Sequence, residues 1–212
     1  MSVVIGGGGK TTLVRRLAEE LSAHARVIVA TSMKMRVPDW CPVLLDASAD
    51  EVEAALSDYA VVCVGTLFGQ TGKLDAPGLG FFDLVGLADY VLVEADGSRG
   101  LPLKAHASHE PVIPACANWV VCVLGVDGIG CAISEACHRP ELYAQLAQAS
   151  PADGVTPCRA ARVLRSEALH DMVLINKVET DEEWCKAEQV ARELEGPVIA
   201  GSLREGAYRC LR

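Results

Sequence analysis

The stretch VVIGGGGKTTL, Val3–Leu13, decides how this 212-residue chain is read. A brief apolar run over Ser2–Ile5 leads into four consecutive glycines, and Lys10, Thr11 and Thr12 then open a helical pattern. Glycines allow successive backbone N–H groups to converge on one anion, because no side chain blocks the approach. A helix that begins near Lys10 aims its first N–H groups and its positive dipole end at the same point. The pattern therefore predicts a phosphate loop. Gly6, Gly7, Gly8, Gly9, Lys10 and Thr12 line it, Lys10 reaches the outer phosphates of a nucleotide, and the Thr11 hydroxyl ligates Mg²⁺. The competing reading is a flexible glycine turn that happens to precede a basic residue. The spacing GxxxxGK[ST] would place glycine at position 4, where this chain has Val4, so the turn is contracted and begins at Gly6. ATP or GTP with Mg²⁺ is the expected ligand.

Moving outward, TTLVRRLAEELSAHA reads as an amphipathic helix, with Leu13, Leu17 and Leu21 at i, i+4 and i+8 and Arg15, Arg16, Glu19 and Glu20 mostly opposite. Apolar runs of strand length begin at Arg26, Tyr59, Tyr90, Trp119, Met172 and Pro197. Their hydrophobicity is continuous rather than alternating, which is the mark of parallel strands covered on both faces. Helices are expected over Ala49–Leu56, Glu135–Ala149, Ala160–Leu169 and Asp181–Leu194, the last capped by Thr180 or Asp181 with acids in its first turn. Such alternation predicts an α/β three-layer sandwich with a mostly parallel central sheet, like that of P-loop NTPases, in one domain over residues 1–212. Phe68–Phe82 is glycine-rich and Gly97–Pro114 carries three prolines. Both read as long functional loops, because strands resume on either side.

Composition narrows the function classes. Half the residues are apolar, and 19 basic against 28 acidic residues give a net charge of −9. That balance speaks against nucleic acid or anionic lipid as partner, since both require clustered Lys and Arg. Aromatics at 5% are too sparse for base-stacking platforms. The nine cysteines form no CxxC pair, are odd in number and fall partly inside apolar runs, as Cys63 and Cys122 do. They read as reduced thiols of a cytoplasmic protein with no signal peptide. Asp83, Asp89 and Asp127 interrupt the longest apolar candidates, so no membrane segment is expected.

Two further stretches carry chemistry. YVLVEADGSRG places Glu94 and Asp96 at the C-terminal end of a buried strand, the end that faces the ligand crevice of an open α/β sheet. A carboxylate there can hold Mg²⁺ or orient an attacking water; the alternative is an Asp96-Gly97 turn beside a paired Glu94. MVLINKVET resembles the NKxD element with which many GTPases read guanine, with Asn176, Lys177 and Glu179 in its positions and Glu in place of Asp. An ordinary strand-to-helix turn explains the same residues.

Taken together, GGGGKTT, ATSMKM, VEADGSRGLPLKAHASHEPVIP, VLGVDGIG, the HRPE of His138–Glu141 and INKVE resemble the selenium-dependent hydroxylase accessory proteins, the YqeC family. The likeness runs in the same order over most of the chain, and Glu94–Pro114 is its most specific part. It implies an accessory role in maturing selenium-dependent molybdenum hydroxylases, with the hydroxylase or its cofactor as partner, and it supplies no reaction. The chain starts almost directly at its first strand, so an N-terminal extension is expected to be missing. By position, Lys10 and Thr11 fit the nucleotide site and Glu94 and Asp96 the acidic strand. Lys34, Arg99, Lys104, His109 and Glu110 fall in loops after strand ends, where a second substrate would sit.

Arg99, Lys104 and Arg139 could clamp an anionic substrate, or Lys104 could be a solvated loop charge and Arg139 an ion-paired residue at a helix start. His106 and His109 have HxxH spacing, which invites a zinc reading, but their proline-containing loop offers no helical face and no third ligand. Cys131, Cys137 and His138 form a similarly sparse cluster. The expected function is that of a nucleotide-binding accessory protein, an Mg²⁺-dependent NTPase with Lys10, Glu94 and Asp96 at its reacting centre. A small-molecule kinase and a nucleotide-gated chaperone with little turnover are the alternatives.

Overall fold

A computed structural model describes all residues, 1–212. The chain is an α/β three-layer sandwich whose large central sheet is mostly parallel and flanked by helices. It divides into two compact units, one of Met1–Val4, Leu13–Gly97 and Val112–Trp119, the other of Ile5–Thr12, Ser98–Pro111 and Val120–Arg212.

The elements of the first stretch are β1 (Ser2–Gly6), α1 (Lys10–Leu21), β2 (Val27–Thr31), β3 (Met35–Arg36), β4 (Val43–Leu45), α2 (Ala49–Asp58), β5 (Val61–Leu67), β6 (Lys73–Asp75), α3 (Phe81–Leu87) and β7 (Tyr90–Glu94). In the first unit the strands lie in the order β1-β7-β2-β5-β6-β3, with β4 also on β5. Pairing is parallel along β1, β7, β2, β5 and β4 and antiparallel at β6 and β3. All five residues of β2 are buried, as a strand covered on both faces requires. The register sets Val4 opposite Glu94, so β7 brings its carboxylate to the strand end two residues before Gly6. Helix α2 begins in a capping box, Ser48 with Glu51, which satisfies amides that a helix start leaves without partners.

The remaining elements are β8 (Leu103–Lys104), β9 (Trp119–Gly125), a 3₁₀ turn (Val126–Gly128), α4 (Ile133–Ala136), β10 (Cys137–His138), α5 (Pro140–Ala147), α6 (Pro157–Glu167), β11 (Met172–Asn176), α7 (Asp181–Arg192), β12 (Val198–Ser202) and β13 (Ala207–Cys210). In the second unit the order is β13-β12-β11-β9, with β11 parallel to both β9 and β12 and β13 antiparallel to β12. Asn176 closes β11 with Gly125 of β9 on one side and Gly201 of β12 on the other. A separate parallel pair joins β8 to β10, with Lys104 opposite His138. Helix α5 packs on α6 and α6 on α7, over a core in which Tyr143, Ile133, Ile175, Leu194 and Leu203 are fully buried.

The six strands expected from apolar runs form, and the structure changes the reading in four places. The helix expected over Glu135–Ala149 is broken into α4, β10 and α5, because Pro140 cannot sit inside a helix and Arg139 ahead of it has φ +64°. Helix α6 starts at Pro157, three residues earlier than expected, with Thr156 as its cap and the proline at its first position. The buried stripe of α1 is Leu13, Val14 and Ala18, while Leu17 and Leu21 are half-buried. The loops at Phe68–Phe82 and Gly97–Pro114 each contain a short strand, β6 and β8. No helix is long and apolar enough to cross a membrane.

Helix α7 carries a complete capping box, in which Thr180 Oγ1 accepts from the Glu183 amide at 3.3 Å and Glu183 accepts from the Thr180 amide at 2.8 Å. Replacing Thr180 with Ala should destabilise the fold by about 1 kcal/mol and lower the melting temperature by about 2–4 °C. Thr180→Ser should melt with wild type in the same circular-dichroism scan.

Candidate functional site

The second unit gathers the glycine turn, the head of α1, the segment after Gly97 and the end of β11. Gly6 (φ +97°) and Gly8 (φ +76°) take conformations that side-chain-bearing residues rarely adopt. Space is as restrictive as conformation. A Cβ at Gly6 would overlap the Val123 carbonyl, one at Gly8 the Gly125 amide and one at Gly9 the Asn176 side chain, while one at Gly7 would come within 2.6 Å of the Leu101 carbonyl. The turn is therefore pressed between β9 on one side and Leu101–Pro102 on the other. Two of its amides are used there: Gly7 N donates to Val123 O at 2.9 Å, and Gly8 N donates to Leu101 O at 3.1 Å.

Lys10 opens α1 and is buried, and its Nζ turns back to donate to Gly6 O at 2.7 Å and to Ser98 Oγ at 3.4 Å. No acidic residue lies in the first turn of α1. A twelve-residue helix that carries no acid of its own at its positive end, with a lysine folded over that end, is a donor set suited to an anion. Thr11 and Thr12, the other expected members of the set, are exposed at the same helix start.

Asn176 is buried at the end of β11. Its Nδ2 donates to Gly8 O at 2.7 Å, and its Oδ1 accepts from Leu203 N at 3.0 Å, so it ties the glycine turn to the chain that follows β12. Lys177, held at φ +67°, pairs with Asp127 at 2.6 Å. Glu179 accepts from Ser202 Oγ at 2.9 Å and pairs with Arg204 at 3.0 Å. The three residues of the guanine-reading pattern thus share no partner, and each is bonded elsewhere within the protein.

The two acids belong to the first unit. Glu94 and Asp96 are both buried at the end of β7, Asp96 completely. The Glu94 backbone carbonyl accepts from Thr31 Oγ1 at 2.7 Å and from Ser32 N at 3.1 Å, which fixes the strand end. Carboxylate oxygens of this kind suit a hard cation such as Mg²⁺. Lys34, in the same unit, lies 3.3 Å from the centroid of the Phe68 ring, a cation–π contact.

The expected second-substrate residues separate into two groups. Lys104, Glu110, Arg139 and His109 come together. Glu110 is 3% exposed and accepts from Lys104 Nζ at 2.8 Å, with the lysine side chain wholly buried, and from Arg139 Nε at 2.7 Å. Arg139 Nη2 lies 3.1 Å from His109 Nε2. Burial pushes the Glu110 carboxyl up, but hydrogen bonds and charge from Lys104 and Arg139 outweigh it and leave it below its ordinary value. Arg99 is exposed with φ +53°. His106, by contrast, binds Glu167 of α6 through both its amide and Nδ1, at 2.6 and 2.9 Å. The two imidazoles of HxxH therefore serve different anchors. Beside them, burial and the neighbouring Lys104 hold His138 below its ordinary value, and its Nδ1 is buried without a hydrogen-bond partner. Burial pushes the Cys137 thiol up to about 12, far from thiolate chemistry.

Ser98, Leu101, Pro102 and Glu167 were not singled out from the sequence. Three of these four act through a backbone carbonyl or a partner some 61 residues distant, as Glu167 does from His106, and neither leaves a side-chain pattern.

An α/β sandwich with a glycine turn and a buried lysine at a helix head defines the class. The chain belongs to the YqeC family, whose model, described as YqeC protein, matches residues 2–141. Over 155 residues it is 35% identical to "Uncharacterized protein YqeC" of Escherichia coli (strain K12), which takes in 70% of this chain. The aligned part spans 60% of that relative's length. The glycine turn, the acids of β7 and the Lys104–Glu110–Arg139 group all lie inside the family match, whereas Asn176–Glu179 lies beyond it.

Removing one partner of a buried ion pair strands the other charge. Glu110→Gln should cost on the order of 3 kcal/mol at pH 7 by urea denaturation. Because the folded carboxyl sits below its ordinary value of 4.5, the stabilisation is present above that value and is lost as pH falls through the folded one. The gap between variant and wild type should therefore close under acid conditions. A gap that does not change with pH would contradict this assignment.

Proposed function

We propose that this chain binds ATP or GTP with Mg²⁺ at Gly6–Thr12 and hydrolyses it slowly, as a cytoplasmic accessory protein for the maturation of selenium-dependent molybdenum hydroxylases. The observation that carries the nucleotide reading is Lys10, buried at the head of α1 with its Nζ 2.7 Å from Gly6 O. In this reading Lys10 and the helix head hold the phosphates, and Thr11, Glu94 and Asp96 keep the Mg²⁺ roles that the sequence leads one to expect of them. The ion would supply neutralisation of phosphate charge. Glu94 or Asp96 also orients the attacking water, the positioning role that phosphoryl transfer asks of a protein. The accessory role is carried over from the family resemblance, with the hydroxylase or its cofactor as partner.

A second reading, a nucleotide-gated chaperone with little turnover, draws support from the Gly7 and Gly8 amides, which already have protein acceptors. Turnover separates the two readings, since the chaperone releases phosphate only when its client is present.

Calorimetric titration of ATP and of GTP, with and without Mg²⁺, tests the shared core of both. Wild type should bind in an Mg²⁺-dependent way, and Lys10→Ala should weaken binding at least tenfold, in keeping with loss of a charge-assisted contact of about 1.5–3 kcal/mol. Equal affinity of the two proteins would remove Lys10 from the site.

A further inference from the structure

The segment Ser98–Pro102 meets the glycine turn with oxygen atoms. Ser98 Oγ faces Lys10 Nζ at 3.4 Å, Leu101 O accepts from Gly8 N at 3.1 Å, and Pro102 O accepts from Gly125 N at 2.9 Å. Two of those donors, Lys10 Nζ and the Gly8 amide, are groups that a phosphate bound at this turn would need. The contact is close along its whole length, since a Cβ at Gly7 would meet Leu101 O at 2.6 Å and Pro102 O at 2.9 Å. The backbone partners of this segment, Gly8 just after β1 and Gly125 at the end of β9, lie at the carboxyl ends of strands, where open α/β sheets receive ligands.

The two ends of the loop are held differently. Downstream, Lys104 and Glu110 are locked by their buried pair, Arg139 adds a second bond to Glu110, and His106 is bound to Glu167. Upstream the tip is a short turn, closed by Leu101 N donating to Ser98 O at 3.0 Å, with Arg99 and Gly100 exposed at φ +53° and +79°. Nothing lies within 4 Å of a Cβ built at Gly100. The tip thus turns through two solvent-facing residues in left-handed conformations, Arg99 and Gly100, above an anchored base.

We propose that Ser98–Pro102 is an internal surrogate for phosphate, an autoinhibitory tip that must lift from the glycine turn before a nucleotide can enter. This rests on the nucleotide reading above. Tip and phosphate compete for the same donors, so the apparent dissociation constant is the intrinsic one divided by the fraction of molecules with the tip raised. Loosening the tip therefore tightens binding, the reverse of what a residue in direct contact with nucleotide would do.

The test combines Gly100→Ala with proteolysis. Alanine at φ +79° is strained only while the tip is down, and its methyl touches nothing else there. Mg²⁺-ATP should bind Gly100→Ala roughly fivefold or more tightly than wild type by calorimetry. Ser98→Ala, which removes one of the three oxygens, should shift affinity the same way and keeps the test available should the alanine at Gly100 disturb folding. In wild type, Mg²⁺-ATP should speed tryptic cleavage after Arg99, followed by mass spectrometry. Unchanged affinity in both variants, with cleavage after Arg99 slowed or unaltered by bound Mg²⁺-ATP, would overturn the tip and leave the nucleotide reading standing. Binding to Gly100→Ala but not to wild type would support both. Failure of wild type and both variants to bind ATP or GTP would overturn the nucleotide reading and the tip with it.

Discussion

The close approach of Gly6 to the Val123 carbonyl, where a single added carbon would overlap, constrains everything built around it. Only a chain without a side chain can leave β1 at φ +97° and keep the Gly7 amide on the end of β9. That exit direction starts α1 at Lys10, three residues beyond Gly7, and sends the lysine back over the turn to Gly6 O. The buried lysine is thus a consequence of backbone geometry as much as of its own chemistry. Its ammonium is desolvated and must be satisfied by oxygens, which the Gly6 carbonyl and the Ser98 hydroxyl supply. A second steric limit, at Gly9, where an added Cβ would overlap the Asn176 side chain, lets that residue at the end of β11 bring its amide against Gly8 O.

A second theme is how an acidic chain places its few cations. Lys104 is wholly buried and Arg139 is 31% exposed, and both are committed to one carboxylate, Glu110. Buried pairs of this kind contribute little net stability compared with apolar packing, because desolvation offsets most of the attraction. Their value lies in what they forbid. Residues 104–110 have few apolar side chains with which to set their position, so the fixed geometry of three charged groups sets it instead. A chain segment anchored by charge at its base and by backbone carbonyls at its tip has one firm end and one weak end, because neutral hydrogen bonds that compete with water are worth only about 1 kcal/mol each.

Much of this architecture can be read from residues and some of it cannot, and the divide is physical. Continuous apolar runs such as VIVAT and MVLIN declare buried parallel strands, since both faces need apolar cover. Thr180, with Glu183 three residues on, declares a helix start through local hydrogen-bond geometry alone. The stretch Glu135–Ala149 misleads because its helical composition conceals Pro140 and a left-handed Arg139, and the short pairing of β10 with β8 is fixed by a distant chain. The exposed strand β13 has no hydrophobic pattern to reveal it and exists because β12 offers an antiparallel edge. At the site, Lys10 and the glycines stand out because the chemistry depends on residue type. The roles of Leu101 and Pro102 are invisible, since every residue carries the carbonyl they use.

Asn176 shows why a motif and a site need not coincide. An asparagine side chain has two N–H donors and an oxygen with two lone pairs. Here one donor braces Gly8 O and the oxygen holds Leu203 N, so about half its capacity goes to joining the glycine turn to the chain after β12. That chain is held in turn by Glu179, through Ser202 and Arg204. Any base placed at this end of the sheet meets residues already bonded to one another. Its recognition is then a difference between new hydrogen bonds and those it displaces, and it shifts the glycine turn as well. Discrimination between ATP and GTP by Asn176 and Glu179 would thus be inseparable from the position of the phosphate-binding backbone, because the same side chain fixes both.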